Sequence, residues 1–338
     1  MDTYSIGIDL GGTNLRIAVY TEDAGVVQRI SIPTRVAAGP DAVVRDIRDA
    51  VENLRRQNLV DARLLGVGIG APGPLILPEG RFECPPNLPG WGAFALGPAL
   101  EDALQASVAV DNDANLAALA ECVLGVGRTH GQKSLAMLML GTGVGNGIIL
   151  NGSIWHGMNG LAGEAGHITV APEGEPCNCG NRGCLEAYAS ATGVRRLALL
   201  AIASGRAPHL EEVLRSSGDI NAGVLYDLAL AGNIDAIEIF AQVGRMLGIG
   251  LAGLITTLDL PLYTIGGGLS GAWDLFAEPM LQELRLRSYT YRLTEERLPQ
   301  KARILRAELG ADSGLLGACL LPFQNHSTST ASLQEVLS

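Results

Sequence analysis

Apolar runs broken by glycine set the rhythm of this chain. Ser5-Ile6-Gly7-Ile8 leads into Asp9-Leu10-Gly11-Gly12-Thr13-Asn14, after which Leu15, Ile17 and Val19 alternate with Arg16, Ala18 and Tyr20. That alternation predicts a strand on each side of the glycine turn, hence a strand–turn–strand hairpin. A Walker loop or a Rossmann fingerprint would open a helix at the same place. The pattern recurs mid-chain, where the apolar run Leu135 to Leu140 enters Gly141-Thr142-Gly143-Val144-Gly145-Asn146-Gly147 and a strand is predicted over Gly147 to Leu150. Glycines and hydroxyls leave backbone N–H groups open in both turns, so the two could grip a polyphosphate from both sides. Taken singly, either turn reads as an ordinary hairpin of an α/β protein.

The other periodicities fill in an α/β order. Val26 to Ile32 is extended, and Asp41 precedes a helix with Val43, Ile47, Val51 and Leu54 on one face. Leu64 to Ile69 reads as a buried strand entering the rigid loop Gly70-Ala71-Pro72-Gly73-Pro74. Val108-Ala109-Val110 is strand-like, and Asn112-Asp113-Ala114-Asn115 opens a helix carrying Leu116, Ala120, Val123 and Leu124. Ala/Leu-rich helices follow, the longest from about Ile234 to Leu258, and then a short strand, Tyr263-Thr264-Ile265, ends in Gly266-Gly267-Gly268. The match Gly248-x-Gly250-x-x-Gly253 lies inside a helical apolar run, where small residues permit close helix packing rather than nucleotide binding. Asp312-Ser313 caps a final helix through Leu320. The predicted division is a smaller α/β lobe of residues 1–111 plus about 311–324, a larger one of 112–310, and a Ser/Thr-rich disordered tail, 325–338.

Composition narrows the classes of function. At 338 residues the chain exceeds the usual single core, and 47% hydrophobic against 17% charged residues can fill two. A formal net charge of −11 argues against a nucleic-acid partner, although a local N–H cradle still admits a nucleotide. Asp2 and Asp9 sit where a signal peptide needs a basic start and an apolar core, and the run Leu247 to Leu258 is short for a bilayer. A cytoplasmic protein without a membrane partner is the expectation.

Three of the six cysteines fall within eight residues. His167-x₉-Cys177-x-Cys179-x₄-Cys184 supplies one imidazole and three thiols, the set for a closed tetrahedral, structural zinc site, the alternative being free cysteines in a loop. Gly180 and Gly183 let that loop turn. Glu164 lies three residues before His167, and Glu186 just after the last thiol, so one loop would hold two carboxylates and an imidazole around a polar ligand. With one ring nitrogen of His167 on metal, the other can donate to that ligand. Asp113 at its strand–helix junction is either part of a helix cap or a carboxylate placed where α/β proteins bind substrate. Asn87, in Pro85-Pro86-Asn87-Leu88-Pro89-Gly90-Trp91, is an amide in a stiff loop suited to a hydroxyl.

Together these residues resemble the ROK family of sugar kinases and repressors, over about residues 5 to 320. The resemblance rests on Asp9–Asn14, Gly70–Pro74, Asn87–Trp91, Asn112–Asn115, Gly141–Gly147, Glu164–His167, Cys177–Glu186 and Gly266–Gly268, the histidine–cysteine spacing being the most specific. It implies the two-lobed actin-like ATPase (ribonuclease H-like) α/β fold of hexokinase, actin and Hsp70, with the active site in the cleft between the lobes. It implies ATP phosphates on Gly11, Gly12, Thr13 and Asn14 and on Gly141, Thr142 and Gly143, adenosine near Gly266, Gly267 and Gly268, and Mg²⁺ near Asp9 through water. Asp113 would be the general base, with Asn87, Asn112, Glu164, His167 and Glu186 also on the sugar.

The implied activity is ATP-dependent phosphorylation of a hexose, glucose first, with N-acetylglucosamine or N-acetylmannosamine as alternatives and polyphosphate as an alternative donor. A sugar-responsive regulator of the same family is the rival of a different class. It is disfavoured because a helix-turn-helix would precede the phosphate turn, which here begins at Asp9. A homodimer or higher homo-oligomer is expected. Two positions depart from the family pattern. Asn146 stands where another glycine is usual and should tolerate a positive φ there, and Thr256-Thr257-Leu258-Asp259 replaces an Asn-Pro-type run.

Overall fold

A computed structural model describes residues 3–336 except 59–61, 84, 86 and 87, and their side chains except those of 57–58 and 327–336. The chain opens with β1 (Thr3–Leu10), β2 (Asn14–Thr21), β3 (Gly25–Pro33), α1 (Pro40–Asn58) and β4 (Arg63–Ala71). A small hairpin, β5 (Leu75–Ile76) and β6 (Arg81–Phe82), precedes α2 (Leu96–Leu104), β7 (Val108–Asn112) and α3 (Asp113–Val123). Next come α4 (Val126–Thr129), β8 (Leu135–Leu140), β9 (Val144–Leu150) and β10 (Ser153–Ile154). Helices α5 (Glu186–Ala189), α6 (Ala191–Ala203), α7 (Pro208–Ser217), α8 (Ala222–Leu230) and α9 (Ile234–Leu258) follow. The chain ends with β11 (Leu262–Gly266), α10 (Trp273–Arg287), α11 (Tyr289–Glu296), β12 (Arg303–Arg306) and α12 (Ser313–Val336). The last helix continues through the Ser/Thr-rich segment for which composition predicts disorder.

Two compact units emerge: residues 1–124, 149–162 and 312–338 in one, 125–148 and 163–311 in the other. The boundary read from the sequence after Asp111 therefore falls ahead of α3 in this division. Helix α3 groups with the first unit because it continues directly from β7 and packs on α12.

The first unit is built on a sheet ordered β3-β2-β1-β4-β7. β1, β2 and β3 pair antiparallel, whereas β4 lies parallel to both β1 and β7. Ile6, Ile8, Ile17, Val67 and Ile69 are fully buried, and α1 covers them with the predicted stripe Val43, Ile47, Val51 and Leu54. The opposite face carries α12. A Cβ on Gly68 of β4 would stand 2.0 Å from the Ala318 carbonyl oxygen, so the helix backbone rests directly on the strand. The Ser5 hydroxyl donates to the Cys319 carbonyl at 2.6 Å and fixes the register of that contact.

The second unit repeats the plan. Residues Val144–Ile148 of β9 lie beside β8, and β11 runs parallel to both β8 and β12. The recurrence of hairpin followed by parallel strands matches the two similar α/β halves expected from the glycine turns. Helix α9 is long and apolar enough to cross a membrane by length and composition, since its apolar character begins well before Leu247. Its Ile239, Phe240, Val243, Leu247, Leu251 and Ile255 are buried inside this unit, however, which makes it a core helix.

Gly248 lets α9 approach α10, because a Cβ there would come within 2.5 Å of the Met280 carbonyl oxygen, while Gly253 faces open space. Gly248→Ala should therefore destabilise the protein by about 1–3 kcal/mol, and Gly253→Ala should stabilise it by about 0.5–1 kcal/mol through helix propensity. Urea unfolding of the two variants checks this; equal effects would refute the packing role.

Candidate active site

The first glycine turn is closed by the Gly11 N–H donating to the Asn14 carbonyl at 3.0 Å. The Thr34 hydroxyl and N–H donate to the carbonyls of Gly11 and Thr13, both at 2.8 Å. Gly12, Thr13 and Asn14 are exposed at its tip. Strand register places Asp9 opposite Arg16, whose Nε donates to Asp9 Oδ2 at 2.8 Å while its Nη2 contacts the same oxygen. Arg16 also reaches Asp312 at 3.4 Å, ahead of α12. A charge-assisted pair of this kind fixes the orientation of a carboxylate that is itself mostly buried.

The β7–α3 junction holds the residues expected to do chemistry. Asn112 is the N-cap of α3, its Oδ1 accepting from the Ala114 N–H at 2.9 Å. Asp113 is the first helical residue, and its Oδ1 accepts from the same N–H at 2.8 Å. Asn112 and Asp113 thus share one N–H at the start of α3, and no side chain among the described residues donates to Asp113. Loss of hydration pushes the Asp113 carboxyl up to about 6, and the negative charge of Asp9 adds to the rise. A carboxylate with that affinity is ionised at neutral pH yet able to accept a proton. Just before it, Asp111 is buried and accepts from the Asn112 N–H, from Asn115 and from His156 Nε2. His156 was not singled out by the sequence, since nothing in its spacing from Asp111 marks the pair.

In the second unit the turn is closed by the Gly141 N–H donating to the Gly143 carbonyl at 2.9 Å, with Thr142 exposed at the tip. Asn146 departs from expectation. It lies inside β9, no residue from 141 to 147 takes a positive φ, and its Nδ2 donates to the Met137 carbonyl at 2.7 Å. The turn needs only Gly141 to Gly143, so the substitution leaves it unaltered. Glu186 Oε2 accepts from the Val144 N–H at 2.9 Å and braces the start of β9. At the end of β11, Gly267 has φ 82°, and a Cβ there would lie 2.4 Å from the Leu140 carbonyl oxygen. The glycines at the end of β11 and the turn after β8 are therefore neighbours.

The loop between them carries the histidine and cysteines. Ligand atoms of His167, Cys177, Cys179 and Cys184 all lie within 4.8 Å of one another. His167 Nδ1 is 3.6 Å from Cys177 Sγ, and the sulfurs of Cys179 and Cys184 are 3.7 Å apart. A tetrahedral zinc with Zn–S of ~2.3 Å sets its ligand atoms ~3.3–3.8 Å apart, so the donor set fits that ion. Gly180 and Gly183, at φ 92° and 70°, make the turns the loop requires. With Nδ1 facing the thiols, His167 Nε2 points toward Glu164, 3.9 Å from its Oε2. Desolvation raises the Glu164 carboxyl, opposed by His167 and aided by Glu186. Its side chain is still 61% exposed, so solvent screens the shift.

The predicted residues thus assemble within each unit: Asp9, Gly11 to Asn14, Asn112 and Asp113 in the first, Gly141 to Gly143, Glu164, His167, Glu186 and Gly266 to Gly268 in the second. Asn87 lies outside the described residues. The Asp9–Arg16 pair was missed, although a hairpin with Leu10 opposite Leu15 already implies it.

Two α/β halves, each with a glycine-turn hairpin, and a Cys₃His loop in the second define the two-lobed actin-like ATPase fold. The chain belongs to the ROK family, whose model matches residues 5–325. It is 37% identical over 318 residues to a glucokinase of Halalkalibacterium halodurans, covering 94% of each chain. A ROK hexokinase from Thermus thermophilus superposes with a TM-score of 0.79 at 32% identity, over 96% of this chain and 99% of that one. A ROK family glucokinase from Streptomyces griseus, in complex with glucose and AMPPNP, gives 0.75 at 30% identity, over 95% and 99%.

The raised Asp113 carboxyl makes a stability prediction. Between its ordinary value of 3.8 and about 6 the folded chain binds more protons than the unfolded, so stability falls as pH rises across that window and stays reduced above it. Asp113 keeps part of its surface in solvent, which limits the penalty to on the order of 1–2 kcal/mol. Asp113→Asn should recover that amount at about pH 8 and nothing below about pH 4. Urea unfolding at both pH values is the measurement, and a variant no more stable than the parent at the higher pH would contradict it.

Proposed function

We propose that this chain is an ATP-dependent hexose kinase of the glucokinase type, moving the γ-phosphoryl group of ATP to the 6-hydroxyl of glucose. The observation that carries the reading is Asp113: a carboxylate at the end of β7, with no side-chain donor among the described residues and its proton affinity raised to about 6. It accepts the 6-hydroxyl proton as that oxygen attacks phosphorus in line. The N–H groups of Gly11 to Asn14 and of Gly141 to Gly143 hold the phosphates and orient the terminal one. Gly266 to Gly268 form the adenosine side. Magnesium bound with ATP would supply further charge neutralisation, with Asp9 holding it through water.

Asn112, Glu164, His167, Glu186 and, from the resemblance, Asn87 take the sugar hydroxyls. Structural zinc on His167, Cys177, Cys179 and Cys184 would order the loop that carries Glu164 and Glu186, leaving His167 Nε2 to donate to the sugar. Glucose is placed first because the glucokinase of H. halodurans and the glucose-bound S. griseus enzyme are such near relatives. The protein works in the cytoplasm as a homodimer or higher homo-oligomer, and its net charge of −11 speaks against a nucleic-acid partner.

A coupled assay across hexoses and phosphoryl donors tests the reading. Glucose with ATP should give the highest kcat/KM, and a higher value with an N-acetylated hexosamine or with polyphosphate would correct the substrate. In the same assay kcat should fall about tenfold per pH unit below about pH 6 as Asp113 protonates. Asp113→Asn should lower it by about 10²–10⁴-fold with glucose binding by calorimetry nearly unchanged. More than about a tenth of the parent rate would mean that another group takes the proton.

Protein prepared without chelator should contain about one zinc per chain. Stripping it should disorder the loop and abolish sugar binding; full activity without zinc would refute the site.

A further inference from the structure

The Asp111 carboxylate is the most completely buried charged group at the β7–α3 junction, with 2% of its surface exposed. It accepts three hydrogen bonds: from the Asn112 N–H at 2.7 Å, from Asn115 Nδ2 at 2.8 Å and from His156 Nε2 at 2.7 Å. The first two donors are local. Asn115 lies one helical turn on and is itself buried, so this pair forms wherever the strand-to-helix turn forms. His156 is different, since it comes from 45 residues away, on the segment after β10. Among the described residues it is the one tether that joins this carboxylate to a distant part of the first unit.

The neighbouring geometry leaves the turn little slack. Asn112 follows Asp111 directly and caps α3, and a Cβ on Gly73 would stand 3.1 Å from its Nδ2. Asp113 comes next. A shift of the Asp111 carboxylate therefore moves Asn112 and Asp113, two of the residues that the kinase reading places on the sugar. The loop that His156 opens is closed on itself by the Ala162 N–H donating to the His156 carbonyl at 3.0 Å, and two residues further along the chain lies Glu164.

An ion pair between a buried carboxylate and an imidazole that is 36% exposed contributes little to stability alone, because solvent screens it. Its merit is orientation, since a directional hydrogen bond fixes a turn in a way apolar packing does not. We infer that His156, acting through Asp111, is a positioning residue for the general base, fixing the β7–α3 turn and with it the direction of the Asp113 carboxylate. This rests on the kinase reading above. Asp111 also raises the proton affinity of His156. The bond is kept in either charge state, because both the imidazolium and the neutral Nε2–H tautomer donate.

The test compares His156→Ala, His156→Gln and His156→Asn in the full-length protein. Gln places an amide N–H about where Nε2 stands, whereas Asn is too short to reach. His156→Ala should lower kcat about 10- to 100-fold, the usual consequence of a misplaced reacting group. The glucose dissociation constant should stay within about threefold, and His156→Gln should recover most of the rate. Hydrogen exchange of the peptide spanning residues 108–116 should quicken in the Ala variant and return to the parent rate with Gln.

Three results would overturn the inference: an Ala variant within about twofold of the parent kcat, a rate loss shared equally by Gln and Ala, or unchanged exchange over 108–116. Should the Ala variant fail to fold, Gln against Asn decides, with equal rates counting against the role. A parent protein that phosphorylates no hexose would refute the kinase reading and the role with it, whereas an active parent with an indifferent His156 would refute the role alone.

Discussion

The close approach of α12 to the first sheet and to α3 is the constraint on which the catalytic half of the molecule depends. It is possible only because small residues face it. A Cβ on Gly68 would sit 2.0 Å from Ala318 O, and one on Gly317 would sit 1.9 Å from Leu116 O. Gly7 of β1 meets the same helix, a Cβ there lying 2.6 Å from Cys319 N, so β1, which carries Asp9, α3, which begins with Asp113, and α12, which begins just after Asp312, are stacked closely. A Cβ on Gly314, in the first turn of α12, would stand 3.7 Å from Asp9 Oδ1. The chemistry proposed for Asp113 is thus a consequence of packing many residues away from it.

That stacking also sets the electrostatics. Asp9 is neutralised locally by Arg16, yet its charge still reaches Asp113 and, with burial, lifts its proton affinity. The two carboxylates are held apart in role by their partners, one by a guanidinium and the other by backbone alone. In the second unit a similar division holds. Glu186 accepts from the Val144 N–H through Oε2, while Glu164 extends into solvent beside His167 Nε2.

Much of this was legible in the sequence because it is local. The α9 limits, the stripe on α1, both hairpins and the Cys₃His loop follow from periodicity, turn residues and spacing. At Asn112-Asp113 the geometry makes Asn112 the N-cap of α3, while Asp113 accepts from the same Ala114 N–H. What the sequence did not disclose is long-range or register-dependent. Asn146 turned out to be a strand residue because the turn closes two residues earlier than the glycine count suggests. The Asp111–His156 contact spans 45 residues with no periodic signal. The grouping of α3 and residues 149–162 with the first unit depends on packing against α12 and β10, which no local pattern encodes.

The central claim is that a hexose hydroxyl, activated at Asp113, receives a phosphoryl group from ATP. Phosphorus NMR of the protein with ATP, Mg²⁺ and glucose, run beside the same mixture with 6-deoxyglucose, tests it most directly. The account predicts a sugar 6-phosphate resonance growing one for one with ADP in the first tube and neither signal growing in the second. ADP and inorganic phosphate accumulating without any sugar phosphate, or equal turnover with 6-deoxyglucose, would contradict it.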